Sequence, residues 1–300
     1  MSNVVIVGDG AIGLLYSYFL STSNHVTLIT RSEKSGKQYY YQGSSGKHLI
    51  NIKTLNNQHL ASLGNIDIVI IAVKAYQVET ALSQLSPYLN DSCKVVLSHN
   101  GMTDLAPIMN NILNNKPIYF LTTRLAGFKA NSTTVIHTGN GESILGAYNS
   151  PADQQYCELV STLCAIPDLS YSKQIDTIRW QKLLINIAIN PLSGFYNVKN
   201  GELNSPKYNS DIFNLLSEAC LVANRLGIAV TLPDSLESAY KVMGATANNF
   251  SSMHQDIMHN RPTEIDAMCG YICQQAELIG IKTPYNQYYL DVIRHKKSAN

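Results

Sequence analysis

The sequence lacks a dominant charge: 22 Lys and Arg stand against 21 Asp and Glu, a formal net charge of +1 over 300 residues. So balanced a chain has no global bias toward nucleic acid or an anionic membrane, and a small neutral or anionic ligand is the easier partner. Long apolar runs are missing too. Hydrophobic residues make up 45% of the chain, yet no uninterrupted stretch reaches the roughly 18 residues a membrane span needs. The opening MSNVVIVGDG has no basic region, extended apolar core or cleavage site, so no secretory signal is expected and the setting reads as cytoplasmic. CxxC spacing is also absent. Cys93, Cys157, Cys164, Cys220, Cys269 and Cys273 are scattered. Cys269 and Cys273 can share a helix face, but small buried cysteines are commoner than metal ligands, so neither metal nor disulfide is expected. There is no internal repeat.

The first half of the chain alternates strand-like and helical runs. NVVIVG (3–8), HVTLIT (25–30), DIVIIAVK (67–74), KVVLSHN (94–100) and PIYFLTT (117–123) are continuous apolar segments suited to parallel strands buried on both faces. With helical crossovers between them they describe a doubly wound α/β sheet of Rossmann type. TTVIHTGNGESILGA (133–147) reads as a hairpin turning at TGNGE, while QYYYQG (38–43) and MNNILNNK (109–116) read as surface segments. Beyond AIPDLS (165–170) strand signals fade, and helices are expected near 173–190, 208–226, 232–249, 251–258 and 263–279. The expected division is therefore a dinucleotide-binding domain over 1–168 and an all-helical substrate domain over 169–300. The closing RHKKSAN reads as a solvated tail.

Gly8, Gly10 and Gly13 form G-x-G-x-x-G directly after the first strand and at the start of a helix. The first glycine allows the tight turn, the second lets backbone approach a pyrophosphate, and the third lets helix pack on strand. Amides at the helix N-terminus then face the phosphate. Gly8, Asp9, Gly10, Ala11, Ile12 and Gly13 are accordingly the cofactor-binding turn, and without a following GK[ST] it is no phosphate-cleaving loop. Arg31 ends the second strand, where an acidic residue would favour NAD and a cation accommodates the 2′-phosphate of NADP. NADP is favoured, with Lys34 an alternative cation and Glu33 an opposing charge nearby.

RWQKLLINIAINPLSG (179–194) places Lys182, Asn186 and Asn190 at intervals of four on an otherwise apolar helix expected to stop at Pro191. Such a stripe is either a narrow solvated face or the wall of a polar cleft. Asparagine is a poor helix former, so a merely wet face would use Glu, Lys or Gln, which favours the cleft. His99 and His137 lie near strand ends and read as structural.

These segments, taken in order with VKAYQV (73–78), HNGM (99–102), WQKLLINIAINPL (180–192), NGEL (200–203), SSMHQDI (251–257) and TEID (263–266), resemble the ketopantoate reductase family nearly end to end. The resemblance implies reduction of ketopantoate to D-pantoate by NADPH, toward pantothenate and coenzyme A, in a cleft between a Rossmann domain and a helical one. It also implies roles: Lys182 as the catalytic lysine, Glu264 as the carboxylate anchoring substrate, and Asn100, Asn186, Asn190 and Ser252 as substrate contacts. Asn200 matches a further cleft position, Lys74 and Asn100 lie beside the cofactor, and Arg31 sits at the 2′-phosphate. Asp9 departs from the small residue or cysteine expected between the first two glycines. Two of these residues also fit a purely local role: Glu264, like Asp266, suits a helix start, and Ser252 can be a helix cap. A reductase of another branched 2-keto acid, or an NADP sensor without turnover, are the competing readings; a monomer or homodimer is expected.

Overall fold

The computed structural model describes residues 1–31, 37–108, 112–113 and 116–296. The chain forms two compact units, one of Met1–His99 with Asp104–Ile175, the other of Asn100–Thr103 with Asp176–Asn300.

The first unit contains every strand of the described residues: β1 (Asn3–Val7), β2 (His25–Thr30), β3 (Tyr40–Gly43), β4 (Gly46–Leu49), β5 (Lys53–Asn56), β6 (Ile68–Ile71), β7 (Lys94–Leu97), β8 (Ile118–Thr123), β9 (Ala126–Lys129), β10 (Thr134–Gly139), β11 (Ser143–Ala147) and β12 (Leu169–Tyr171). Eight form a sheet in the order β12-β11-β8-β7-β6-β1-β2-β5. Its pairs are parallel except β8 with β11. Alternate residues of β1 divide between two cores. Val4 and Ile6 pack on one face with Leu14, Leu28 and Ile70, while Val5 and Val7 pack on the other with Ile29, Val69 and Val95. Both faces of a parallel sheet are covered, which is why these strands read as unbroken apolar runs. Helices α1 (Ala11–Leu20), α2 (Val78–Leu85) and α3 (Tyr156–Leu163) belong to this unit. Strand order reverses between β1 and β6, and ligands of open α/β sheets gather at the carboxyl ends beside such a reversal.

The structure corrects several expectations. Residues 133–147 are no hairpin: β10 pairs with β3 and β9 in a separate four-stranded sheet, whereas β11 crosses to the large sheet and pairs with β8 and β12. The tyrosine-rich segment is not a surface loop. Tyr39 and Tyr41 point inward, 1% and 7% exposed, and Tyr41 stacks on Tyr18 of α1 at 3.7 Å, so the second sheet packs over α1 into the same core as one face of the large sheet. In 109–116, Leu113 and Lys116 are buried; Met109, Asn110, Asn111, Asn114 and Asn115 lie outside the described residues. The expected division after residue 168 falls inside the first unit, where β12 pairs with β11.

The second unit is helical, with α4 (Ile175–Tyr196), α5 (Asn209–Arg225), α6 (Leu232–Ala245), α7 (Ser252–Met258), α8 (Cys269–Leu278) and α9 (Pro284–His295). Its core gathers Leu183, Leu184, Ile187, Ala188, Leu216, Ala219, Met243 and Ile272, all at most 1% exposed. Contrary to the expected stop, α4 runs through Pro191 to Tyr196. A proline inside a helix costs on the order of 3 kcal/mol through a lost hydrogen bond and a ring clash. The additional turn buries Leu192 and Ser193 completely and brings Phe195 against Tyr289, an edge-on pair at 5.7 Å, which offsets that cost. Helix α9 lies beyond the last helix expected from the sequence; Tyr289, Leu290 and Ile293 give it a buried face.

Candidate active site

In the first unit the glycine turn has the geometry its sequence implies. Gly8 adopts φ of 110°, closed to residues with a side chain, and a Cβ there would also lie 2.6 Å from the Ala72 carbonyl oxygen. A Cβ at Gly13 would collide with the Gly8 carbonyl, because α1 starts hard against the end of β1. Gly10 differs: nothing lies within 4 Å of where its Cβ would be. Its surroundings are open for an approaching group, not occupied by protein. Gly10 is the N-cap of α1 and makes no side-chain cap, the first turn holds no acidic residue, and Ala11 and Ile12 are partly buried. This end of α1, with its amides and positive dipole, fits a dinucleotide pyrophosphate.

Neighbouring strands bring two further candidates to the same edge. The Gly8 amide donates to the Ile29 carbonyl at 3.0 Å, so the turn abuts the end of β2; Arg31 follows there and is exposed. The Ala72 amide donates to the Val7 carbonyl at 2.9 Å, and Lys74, partly buried, begins the short turn after β6. Glu33 and Lys34 lie outside the described residues.

In the second unit the row on α4 becomes more buried along its length. Lys182 and Asn186 are partly exposed, whereas Asn190 is 7% exposed and its amide nitrogen lies 3.6 Å from Met268 Sδ. Glu264, 7% exposed, precedes the turn Ile265–Ala267. The strand-end segment carrying Asn100 packs on that turn. The Met102 amide donates to the Ala267 carbonyl at 2.7 Å, and Gly101, at φ of 75°, lies so close that any Cβ would strike it. Asn100, Asn190 and Glu264 are thus held through residues 264–268. Asn200 is buried, donates through Nδ2 to Thr246 Oγ1 at 3.0 Å, and keeps its Oδ1 buried without a hydrogen-bond partner. Ser252 is exposed and does not cap its helix. That role belongs to Ser251, whose hydroxyl accepts from the His254 amide at 3.0 Å.

The structural reading of the histidines holds for His137, whose ring bridges Tyr41 Oη at 2.9 Å and the Gly139 carbonyl at 3.0 Å. Sequence reasoning missed Tyr39, Lys129, Ser193 and Ser251, which support the candidate residues from outside their motifs. Only the tyrosines had a signal, the inward alternation of Tyr39 and Tyr41. Among the described residues no group of His, Cys, Asp or Glu is placed to hold a metal ion, and no helix is long and apolar enough to cross a membrane.

Profiles described as ketopantoate reductase PanE/ApbA and ketopantoate reductase PanE/ApbA C terminal match residues 4–150 and 174–297. The chain belongs to the ketopantoate reductase family. As a member of that family it is an oxidoreductase, and the fold and glycine turn make it a pyridine-nucleotide-dependent one. It is 34% identical over 286 residues to the 2-dehydropantoate 2-reductase of Vibrio cholerae, covering 95% of this chain and 94% of that one. With the 2-dehydropantoate 2-reductase of Yersinia pestis the identity is 30% over 303 residues, covering 98% and 95%. Among solved structures, the probable 2-dehydropantoate 2-reductase of Bacillus subtilis superposes with a TM-score of 0.81 at 24% identity, covering 98% of this chain and all of that one. D-Mandelate dehydrogenase in a ternary complex with NADH and anilino(oxo)acetate superposes at 0.90 with 21% identity, covering 98% and 97%. These two likenesses speak for the fold of this family member.

Proposed function

We propose that this chain reduces 2-dehydropantoate to D-pantoate with NADPH. The observation that carries the reading is the row Lys182, Asn186 and Asn190 on a helix otherwise committed to the core, its last member against Met268, which with Ala267, the anchor of the Asn100 segment, closely follows a buried Glu264. A solvated stripe would not end in a buried asparagine. Family membership and the relatives' names support the choice of substrate.

A bound NADPH supplies the hydride. The turn Gly8–Gly13 would hold its pyrophosphate, Arg31 would meet its 2′-phosphate, and Lys74 and Asn100 are the residues that would hold its reduced end. As the substrate ketone becomes an alkoxide, negative charge grows on its oxygen, and Lys182 donates a proton there as general acid. Glu264 accepts from the substrate hydroxyl. Asn100, Asn186, Asn190, Asn200 and Ser252 supply hydrogen bonds that hold carboxylate and carbonyl in register. A cytoplasmic setting belongs to the same reading and suits six cysteines that form no disulfide.

The test is NADPH oxidation across a panel of 2-keto acids. Ketopantoate should far exceed ketoisovalerate in kcat/KM, by about 10⁴-fold where a buried acceptor loses its hydroxyl partner. Equal rates would remove Glu264 from its role and point to another 2-keto acid; dinucleotide binding without turnover on any of them would indicate a sensor.

A further inference from the structure

Asp9 puts a carboxylate in the middle of a turn shaped for a pyrophosphate. An unbalanced negative charge there would oppose the ligand that the end of α1 favours. The second sheet supplies the balance. Lys129, at the end of β9, donates through Nζ to the Asp9 carbonyl oxygen at 2.8 Å and meets Asp9 Oδ2 at 3.2 Å. Both side chains are 29% exposed, so the pair is shielded from water without being sealed off. From the residue just before β3, Tyr39 Oη donates to the same Oδ2 at 3.4 Å. Burial, with the Asp9 charge, pushes that phenol up to about 12, so it stays a donor. Lys37 lies over the face of the Tyr39 ring, its Nζ 5.3 Å from the centroid.

We propose that Lys129 is a positioning residue for the dinucleotide: it holds and cancels the Asp9 carboxylate, so that the glycine turn accepts the pyrophosphate. The small four-stranded sheet thereby acquires a task beyond covering α1, since its strand ends deliver Lys129 and Tyr39 to the turn. The inference rests on the dinucleotide reading above and adds a residue that no motif of the turn contains.

The experiment is a charge-swap cycle read by fluorescence titration of NADPH, with thermal unfolding of each ligand-free variant as a check on folding. Lys129→Ala leaves Asp9 uncompensated and is expected to raise the NADPH Kd about tenfold or more, with the loss falling on KM for NADPH rather than on kcat. Lys129→Arg should keep Kd within about threefold of wild type. The double variant Asp9→Asn with Lys129→Ala should return to within about threefold of Asp9→Asn alone, because the charge that Lys129 balances is gone. A folded Lys129→Ala protein binding NADPH as wild type does, or a double variant as weak as Lys129→Ala, overturns the proposal. Wild-type protein that binds no dinucleotide would instead defeat the functional reading on which the proposal rests.

Discussion

The hydroxyl of Ser193 on α4 donates to the hydroxyl of Ser251 across 2.7 Å, and Ser251 in turn caps α7 through the His254 amide. Both serines are buried; removing Ser193 takes a donor from Ser251, while removing Ser251 takes the cap from the His254 amide and leaves the Ser193 hydroxyl only the Asn190 carbonyl at 3.2 Å. Ser251→Ala should cost about 1–2 kcal/mol in urea unfolding, and Ser193→Ala about 1 kcal/mol. Because the two share one bond, the double variant should lose at least about 0.5 kcal/mol less than the sum. Strict additivity would deny the coupling.

Lys182→Ala should lower kcat by about 10²- to 10⁴-fold, the range of a general acid. NADPH Kd should stay within about twofold of wild type. A variant retaining normal kcat at neutral pH would end the assignment, whatever its KM.

The glycines separate structure from binding. Gly13→Ala forces a methyl into the Gly8 carbonyl and should lower thermal stability, with a penalty of about 1–3 kcal/mol for overpacking. Gly10→Ala meets no protein atom within 4 Å, so beyond the small cost of alanine at a helix N-cap its melting temperature should fall less than that of Gly13→Ala. Its cofactor Kd should nonetheless rise about tenfold, since the methyl occupies the phosphate's approach. Equal melting losses for the two would refute this division.

Arg31 is exposed and follows β2, where a 2′-phosphate would extend from the adenosine ribose. Arg31→Ala should raise KM for NADPH about tenfold, the worth of a charge-assisted hydrogen bond, and leave KM for NADH unchanged. Parallel increases for both cofactors would show that Arg31 does not read the phosphate.

His254 predicts a pH dependence. Burial, assisted by the charge of Lys296, holds its imidazole below the ordinary 6.5. Nε2 lies 2.7 Å from Asn197 Oδ1 and therefore donates, leaving Nδ1 buried without a hydrogen-bond partner to receive a second proton. A pKa lower in the folded than in the unfolded state stabilises above the unfolded value, so this contribution is intact above about pH 6.5 and lost as pH falls below it. Urea unfolding between pH 7.5 and 5 should show His254→Gln losing less stability on acidification than wild type. Parallel curves would exclude His254 as the cause.

Much of the fold is legible along the chain. Strands β1, β2, β6, β7 and β8 announce themselves because residues buried on both faces must be apolar at every position. The glycine turn is legible because backbone conformation and close packing each restrict a site to one residue type. Lys182, Asn186 and Asn190 stand out because polar residues spaced by four on an apolar helix violate its pattern locally.

What tertiary structure alone decided are relations between distant segments. No local pattern sends β10 and β11 to different sheets, since each forms the same hydrogen bonds in either pairing and only the available partner differs. No helix rule carries α4 past Pro191; burial against Tyr289 outweighs propensity there. Lys129 reaches Asp9 across 120 residues, and an ion pair has no sequence period by which its two ends could be matched. The sequence by itself determined which chemistry each motif offers; the tertiary structure decided which neighbours balance, cap and hold it, because those contacts depend on how whole strands and helices pack.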